Sequence, residues 1–228
     1  MAGDEKSIFH WDGVALTAPS MFSFLPGSIQ SVRAFAAKDV WMTGYSGDSF
    51  VLYRWNGTAW FDVKGSAGSM LATGNYSAAN ANPAYNDKLY AIAGTDSQNM
   101  FLAGTSRLDS MSQVKPSLMY NKGNSEKPIF EYRTAGTGGM YSNDPGADYQ
   151  RAWTAAANDY WFGVSGDGGA SEGPALVHWD GTNLVKQMKG MNPADTVSAI
   201  WGVKNASNYD IWVVTNTKAP TINKLYKS

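Results

Sequence analysis

The chain contains no cysteine. Disulfide staples, thiolate catalysis and cysteine-bound zinc are therefore excluded. Histidine is scarce, with only His10 and His178. A Ser-His-Asp triad or a His-rich metal site has little to draw on. Charged residues make up 16%, below the ~25% usual for globular domains. The 18 Lys+Arg balance 19 Asp+Glu to a net charge of −1, so bulk charge draws in neither nucleic acid nor anionic membrane. No apolar run approaches the ~18 residues of a membrane span, and no membrane insertion is expected. The start, Met1-Ala2-Gly3-Asp4-Glu5-Lys6, has no basic stretch leading into an apolar one, so no signal peptide is visible.

What is present is aromatic and glycine-rich. Nine Trp, twelve Tyr, nine Phe and 24 Gly occur in 228 residues. With few charges, that composition points to strands and turns and away from helical bundles, coiled coils and disordered chains. The length allows one large domain with a real core.

Two signatures recur. The first is an acidic or amide residue, an apolar residue, then an aromatic: Asp39-Val40-Trp41, Asn99-Met100-Phe101, Asp159-Tyr160-Trp161 and Asp210-Ile211-Trp212. The aromatics are 60, 60 and 51 residues apart. The second sets an aromatic before an Asx-Gly-like turn: Trp55-Asn56-Gly57, Tyr120-Asn121-Lys122-Gly123 and Trp179-Asp180-Gly181, with a spare copy at Trp11-Asp12-Gly13. Asn-Gly and Asp-Gly between apolar runs signal hairpins with type I′ turns. Each unit reads as four short strands, a to d. In the first they fall near 31–36, 39–45, 50–55 and 59–64. The units begin near 31, 88, 150 and 197.

Four-stranded units of ~40–60 residues in tandem mark a β-propeller. The pattern resembles the bacterial and phage-type propeller repeats with Asp-Val-Trp and Trp-Asp-Gly signatures, loosely kelch-like. The expected fold is all-β: one domain over 1–228, a small propeller of four blades of four antiparallel strands. Residues 8–30 close the ring, with a strand near Val14–Ala18 completing the last blade and leaving no open edge. Five blades is the alternative, if the surplus N-terminal copy belongs to a degenerate blade.

The connections divide by length. The a–b turns (Ala36–Lys38, Gly94–Gln98, Ala155–Asn158) and the c–d turns are read as short. The b–c loops (Tyr45–Ser49, Thr105–Pro116, Ser165–Pro174) and d–a loops (Gly65–Asp87, Thr134–Tyr149, Gly190–Thr196) are read as elaborated. Loops beyond ~12–15 residues are usually functional or disordered. A propeller puts the second group on one face, which is the candidate binding surface.

His10 and His178 share a repeat position, which makes them structural. Asp39, Asn99, Asp159 and Asp210 share another and are expected to cap the a–b turns through bonds to backbone. The repeat Trp residues are expected between blades. Candidate ligand contacts are therefore sought off the repeat register: Tyr45, Tyr76, Tyr85, Tyr141 and Tyr149 for stacking, Asp48, Asp144, Asp167 and Glu172 as carboxylates, and Arg107 with Asp109 as a polar handle. No catalytic residue is assigned. No cofactor is implied beyond Ca²⁺, for which Asp167-Gly168-Gly169 and Asp144 to Asp148 are a weak match.

Loops rich in Tyr, Ser, Asn and Gly suit recognition by stacking and neutral hydrogen bonds. The expected function is a non-enzymatic module that binds a glycan or cell-surface receptor: a lectin, an adhesin or a viral receptor-binding tip. Its place would be extracellular, on a cell or virion surface, with oligomers left open. A polysaccharide hydrolase or lyase using loop carboxylates is the enzymatic alternative. A protein–protein scaffold with an apolar patch is the third.

Overall fold

In the computed structural model the described residues are 8–17, 27–46, 49–63, 88–108, 113–121, 130–132, 149–164, 175–182, 184–188, 195–205, 208–217 and 223–227. Among them every helix or strand is a strand. The N-terminal hairpin is β1 (His10–Trp11) and β2 (Leu16–Thr17). The first sheet is β3 (Ser28–Ala36), β4 (Asp39–Ser46), β5 (Ser49–Trp55) and β6 (Trp60–Asp62). The second is β7 (Lys88–Asp96), β8 (Asn99–Leu108), β9 (Gln113–Asn121) and β10 (Phe130–Tyr132). The third is β11 (Tyr149–Ala156), β12 (Asp159–Val164), β13 (Ala175–Trp179) and β14 (Leu184–Met188). The fourth has three strands, β15 (Asp195–Asn205), β16 (Asn208–Thr217) and β17 (Asn223–Lys227). Each sheet is an antiparallel meander in chain order. The expected strands of the first unit all appear within a few residues of their predicted bounds.

The repeat is visible in the register. Trp41 lies opposite Arg33 and Arg54, Phe101 opposite Ala93 and Tyr120, Trp161 opposite Trp153 and His178, and Trp212 opposite Trp201 and Lys227. The first strand of every sheet shifts register at the same place, at Gln30, Tyr90, Gln150 and Ser198. Such bulges twist a strand and re-aim one side chain.

Strand alternation gives each sheet two apolar faces, and three seams bury those that face a neighbouring sheet. Trp41, Phe50 and Leu52 of the first sheet meet Leu89, Ile92, Met100 and Leu102 of the second. Phe101, Ala103 and Leu118 of the second meet Tyr149, Tyr160, Phe162 and Val177 of the third. Trp161 and Leu176 of the third meet Val197, Ile200, Ile211 and Val213 of the fourth. Phe101 anchors the middle seam, its ring 4.7 Å from Tyr160, 4.8 Å from Tyr120 and 5.5 Å from Phe162. Edge-to-face pairs like Phe101–Tyr160 add about 0.5–1.5 kcal/mol beyond area burial. The Tyr160 hydroxyl donates to the Asn99 carbonyl at 2.6 Å, so its buried oxygen is satisfied across the seam.

Polar straps fix how the sheets align. The Ile92 amide donates to Ser31 Oγ at 3.2 Å, and Arg33 Nη2 donates to the Gly94 carbonyl at 2.8 Å. Arg151 Nε donates to the Ser198 carbonyl at 2.7 Å. Near-equivalent positions therefore meet, and successive sheets point the same way. The strands β3, β7, β11 and β15 lie side by side in that order. Closure by pairing of N- and C-terminal strands is not among the described ladders. β1 pairs with β2 and β17 with β16.

Two local expectations need correction. The Asx-Gly turns are not two-residue type I′ turns. Trp55 lies opposite Trp60, so residues 56–59 make a four-residue connection. Only the glycines take positive φ, Gly13 at 99°, Gly57 at 98° and Gly181 at 96°. The preceding Asx side chain caps the turn instead: Asn56 Oδ1 accepts the Thr58 and Ala59 amides at 2.9 Å, and Asp12 Oδ1 accepts those of Val14 and Ala15 at 2.8 Å.

The second correction concerns the b–c connections. β4 runs to Ser46 and β5 starts at Ser49, which leaves residues 47–48 between paired strands. The expected loop 105–116 is largely a hairpin extension: Thr105 lies opposite Pro116 and Leu108 opposite Gln113. The mostly polar run Thr105–Pro116 reads as loop because no apolar–polar alternation marks strands there.

Candidate functional site

In an antiparallel meander, a–b and c–d connections leave one end of the sheet, b–c and d–a connections the other. The seam straps align the four sheets. The a–b turns 37–38, 97–98, 157–158 and 206–207 therefore share one end. Connections 64–87, 133–148, 165–174 and 189–194 depart from the strand ends opposite.

Of the expected contact residues, Tyr45 and Tyr149 are described in full. Arg107 is described as backbone. Asp48, Tyr76, Tyr85, Asp109, Tyr141, Asp144, Asp167 and Glu172 lie outside the described residues. None of Tyr45, Tyr149 and Arg107 is in a loop, contrary to expectation, and Tyr149, the first residue of β11, is fully buried in the middle seam and offers no stacking surface. Tyr45 is the penultimate residue of β4, opposite Phe50, and Arg107 pairs with Val114 in the β8–β9 extension.

The structure brings Tyr45 together with two residues the sequence did not single out. The Tyr90 ring stands edge-on to Tyr45 with centroids 6.0 Å apart. Lys88 Nζ lies 5.0 Å from the Tyr45 ring centroid, on its face. Tyr45 and Tyr90 are half-buried, and so is Lys88. The cluster joins the first and second sheets at the long-connection end. Tyr90 reaches it because it occupies the bulge between Leu89 and Ala91. The signal missed in the sequence was a tyrosine at a bulge position that carries Gln30 and Gln150 in neighbouring sheets.

The opposite end holds the carboxylate register. Asp159 begins β12 and accepts three side-chain donors: His178 at 2.8 Å, Lys204 Nζ at 2.8 Å and the Tyr209 hydroxyl at 2.5 Å. His178 stacks on Trp161 with centroids 4.2 Å apart, and the Tyr209 ring stands edge-on to both. Burial pushes the Asp159 carboxyl up, but the bonds from Lys204, Tyr209 and His178 outweigh it and hold it below its ordinary 3.8. The bond to Asp159 raises Lys204 above its ordinary value. Burial first, then the bond to Asp159, raises the Tyr209 phenol. Asp39 repeats the plan more simply, accepting Arg54 Nε at 2.9 Å and Trp41 Nε1 at 2.8 Å. In the second sheet the Tyr120 hydroxyl donates to Asn99 Oδ1 at 3.1 Å.

These carboxylates were expected to cap a–b turns through backbone amides. Asp39, Asn99 and Asp159 hold the third strand of their own sheet instead, and Asp159 the next sheet as well, while Asp210 accepts the Asn205 side-chain amide at 3.1 Å across its a–b turn. The turn-capping role belongs to Asp96, whose Oδ1 accepts the Gln98 and Asn99 amides at 2.8 Å. Both carboxylate oxygens of Asp159 are engaged by structural donors. Among the described residues no group of three or more His, Asp or Glu converges as a metal site. The residues suggested for Ca²⁺, Asp144, Asp148 and Asp167, lie outside the described set. No protein-family model matches the chain. A search of curated proteins likewise returns no match.

Proposed function

We propose that this chain is a non-enzymatic recognition module, a closed four-bladed β-propeller that binds a glycan or cell-surface receptor at its long-connection end. The observation that carries the reading is the Tyr45–Tyr90 pair with Lys88 over the Tyr45 face, at the end from which the long connections depart. An aromatic edge pair presents apolar ring surface to the face of a sugar, and the ammonium supplies a donor. The Tyr-, Ser- and Asn-rich connections 64–87 and 133–148 would complete the surface with neutral hydrogen bonds. Such a module acts at an extracellular or virion surface.

The test is a glycan array with a whole-cell binding assay. The wild-type chain is expected to bind a restricted set of glycans or one cell type. Tyr90→Ala is expected to weaken that binding about tenfold, the size of one lost stacking contact. The substitution Val185→Ser, at an exposed position of β14 remote from the cluster, leaves binding unchanged. Blank results in both assays overturn the proposal. Release of reducing ends from any bound polysaccharide replaces it with a hydrolase.

A further inference from the structure

The first and fourth sheets each keep one face outside the three seams, and the repeat says what those faces match. Val32 lies opposite Met42 as Ile92 lies opposite Leu102 and Ile200 opposite Val213. Ile92 and Ile200 are 5% and 8% exposed in their seams, while Val32 is 48% exposed. Trp201 holds the position of Arg33, which straps the first sheet to the second, and of Ala93, which is buried in the middle seam. Trp201 is 64% exposed. A fourth seam of the same kind would bury Trp201 and Val32 together.

The hairpin β1–β2 already stands on the first-sheet side of that seam. Ile8 packs on Ile29, Met42 and Val51, the outer face of the first sheet. Ile8 is two residues before His10. Leu52 is two before Arg54, Leu118 two before Tyr120, and Leu176 two before His178. Each of those leucines packs on the face of the following sheet in the same way. Ile8 thus behaves as the third-strand residue of a sheet that precedes the first. The third strand of the fourth sheet, β17, has the same register: Lys227 lies opposite Trp212, where Arg54 and His178 lie opposite Trp41 and Trp161.

We propose that β1 and β17 are rival occupants of one edge of β16, and that β1–β2 takes it when the ring closes. His10 then lies opposite Trp212, Phe9 opposite Val213 and Ile8 opposite Val214. Phe9 and Trp11 turn toward the third sheet, as Val177 and Trp179 turn toward the second. Trp11, 58% exposed in the free hairpin, gains the surroundings that leave its equivalent Trp179 at 6%. Trp201 covers Val32, and β17 is displaced. The proposal rests on the closed ring of the preceding reading but not on any ligand.

The lack of cysteine makes the test direct. The pair Phe9→Cys/Val213→Cys is compared with Val213→Cys/Tyr226→Cys under mild oxidation. The first pair is expected to cross-link within the monomer in most chains, and the second in a minority. The opposite order overturns the exchange. A cross-linked dimer from the first pair also overturns it, in favour of strand donation between copies. Melting of Trp201→Ser separates the exchange from the ring itself. A loss of roughly 5–10 °C supports a buried Trp201. That loss together with cross-linking only of the β17 pair keeps the ring and rejects the exchange. An unchanged melting temperature rejects both.

Discussion

Asp159 carries more of the fold than its place in a repeated tripeptide suggests. Its two oxygens tie β12 to β13 through His178 and the third sheet to the fourth through Lys204 and Tyr209. Asp159→Asn removes the charge that orders all three donors and is expected to cost about 1–3 kcal/mol in urea denaturation. An unchanged midpoint would show the cluster to be decorative. The pH dependence has a definite sign. The folded carboxyl lies below its ordinary 3.8, so its stabilisation is fully present above that value and is lost as pH falls through the lowered one. Lys204 is raised above 10.5, so its contribution holds below that value and is lost as pH climbs through the raised one. Unfolding free energy of the wild type should fall at the acid extreme more steeply than that of Asp159→Asn. Parallel curves would contradict this. Asp39, Asp159 and His178 were legible in the sequence as structural positions. Their partners were not, because Lys204 and Tyr209 arrive from a different sheet, 45 and 50 residues away.

At the scale of elements, strand order and approximate bounds could be read from apolar–aromatic periodicity, and the turn ends from Asx-Gly pairs. The bulges could not, since nothing in Gln30, Tyr90, Gln150 or Ser198 marks an extra residue. They matter because they let the first two strands of a sheet approach closely. A Cβ at Gly44 or Gly104 would run into the carbonyl of Ser28 or Lys88. Gly104→Ala is therefore expected to destabilise by about 1–3 kcal/mol through backbone displacement, measured by thermal or urea unfolding. A neutral substitution would mean the strands are further apart than described. The reading of loops erred in the opposite direction. Polar, alternation-poor segments at 45–49 and 105–116 are mostly strand, because ladder bonds between neighbours hold a hairpin whatever its side-chain pattern. The proposed binding end accordingly contains more strand than its composition implies, with Tyr45 held on β4 rather than on a loop.

The whole molecule is a row of four sheets whose neighbours meet at equivalent positions, with complementary apolar faces left at the two ends of the row. The proposed closure of that row into a ring would bury Trp201 and Val32 and bring the strand ends that lead into the long connections around one opening. The proposed glycan recognition at Tyr45 and Tyr90 rests on that gathering, and so does the proposed exchange of β17 for β1. Spin labels on exposed turn residues measure the ring without touching a seam. Lys38, Gln98, Ala157 and Asn205 occupy or border the four a–b turns, and all are exposed. Lys38→Cys paired with Gln98→Cys gives the distance between adjacent sheets, and Lys38→Cys with Ala157→Cys gives the diagonal. The deciding pair is Lys38→Cys with Asn205→Cys. A closed four-sheet ring predicts a distance matching the adjacent pair and shorter than the diagonal. A distance longer than the diagonal would contradict the ring.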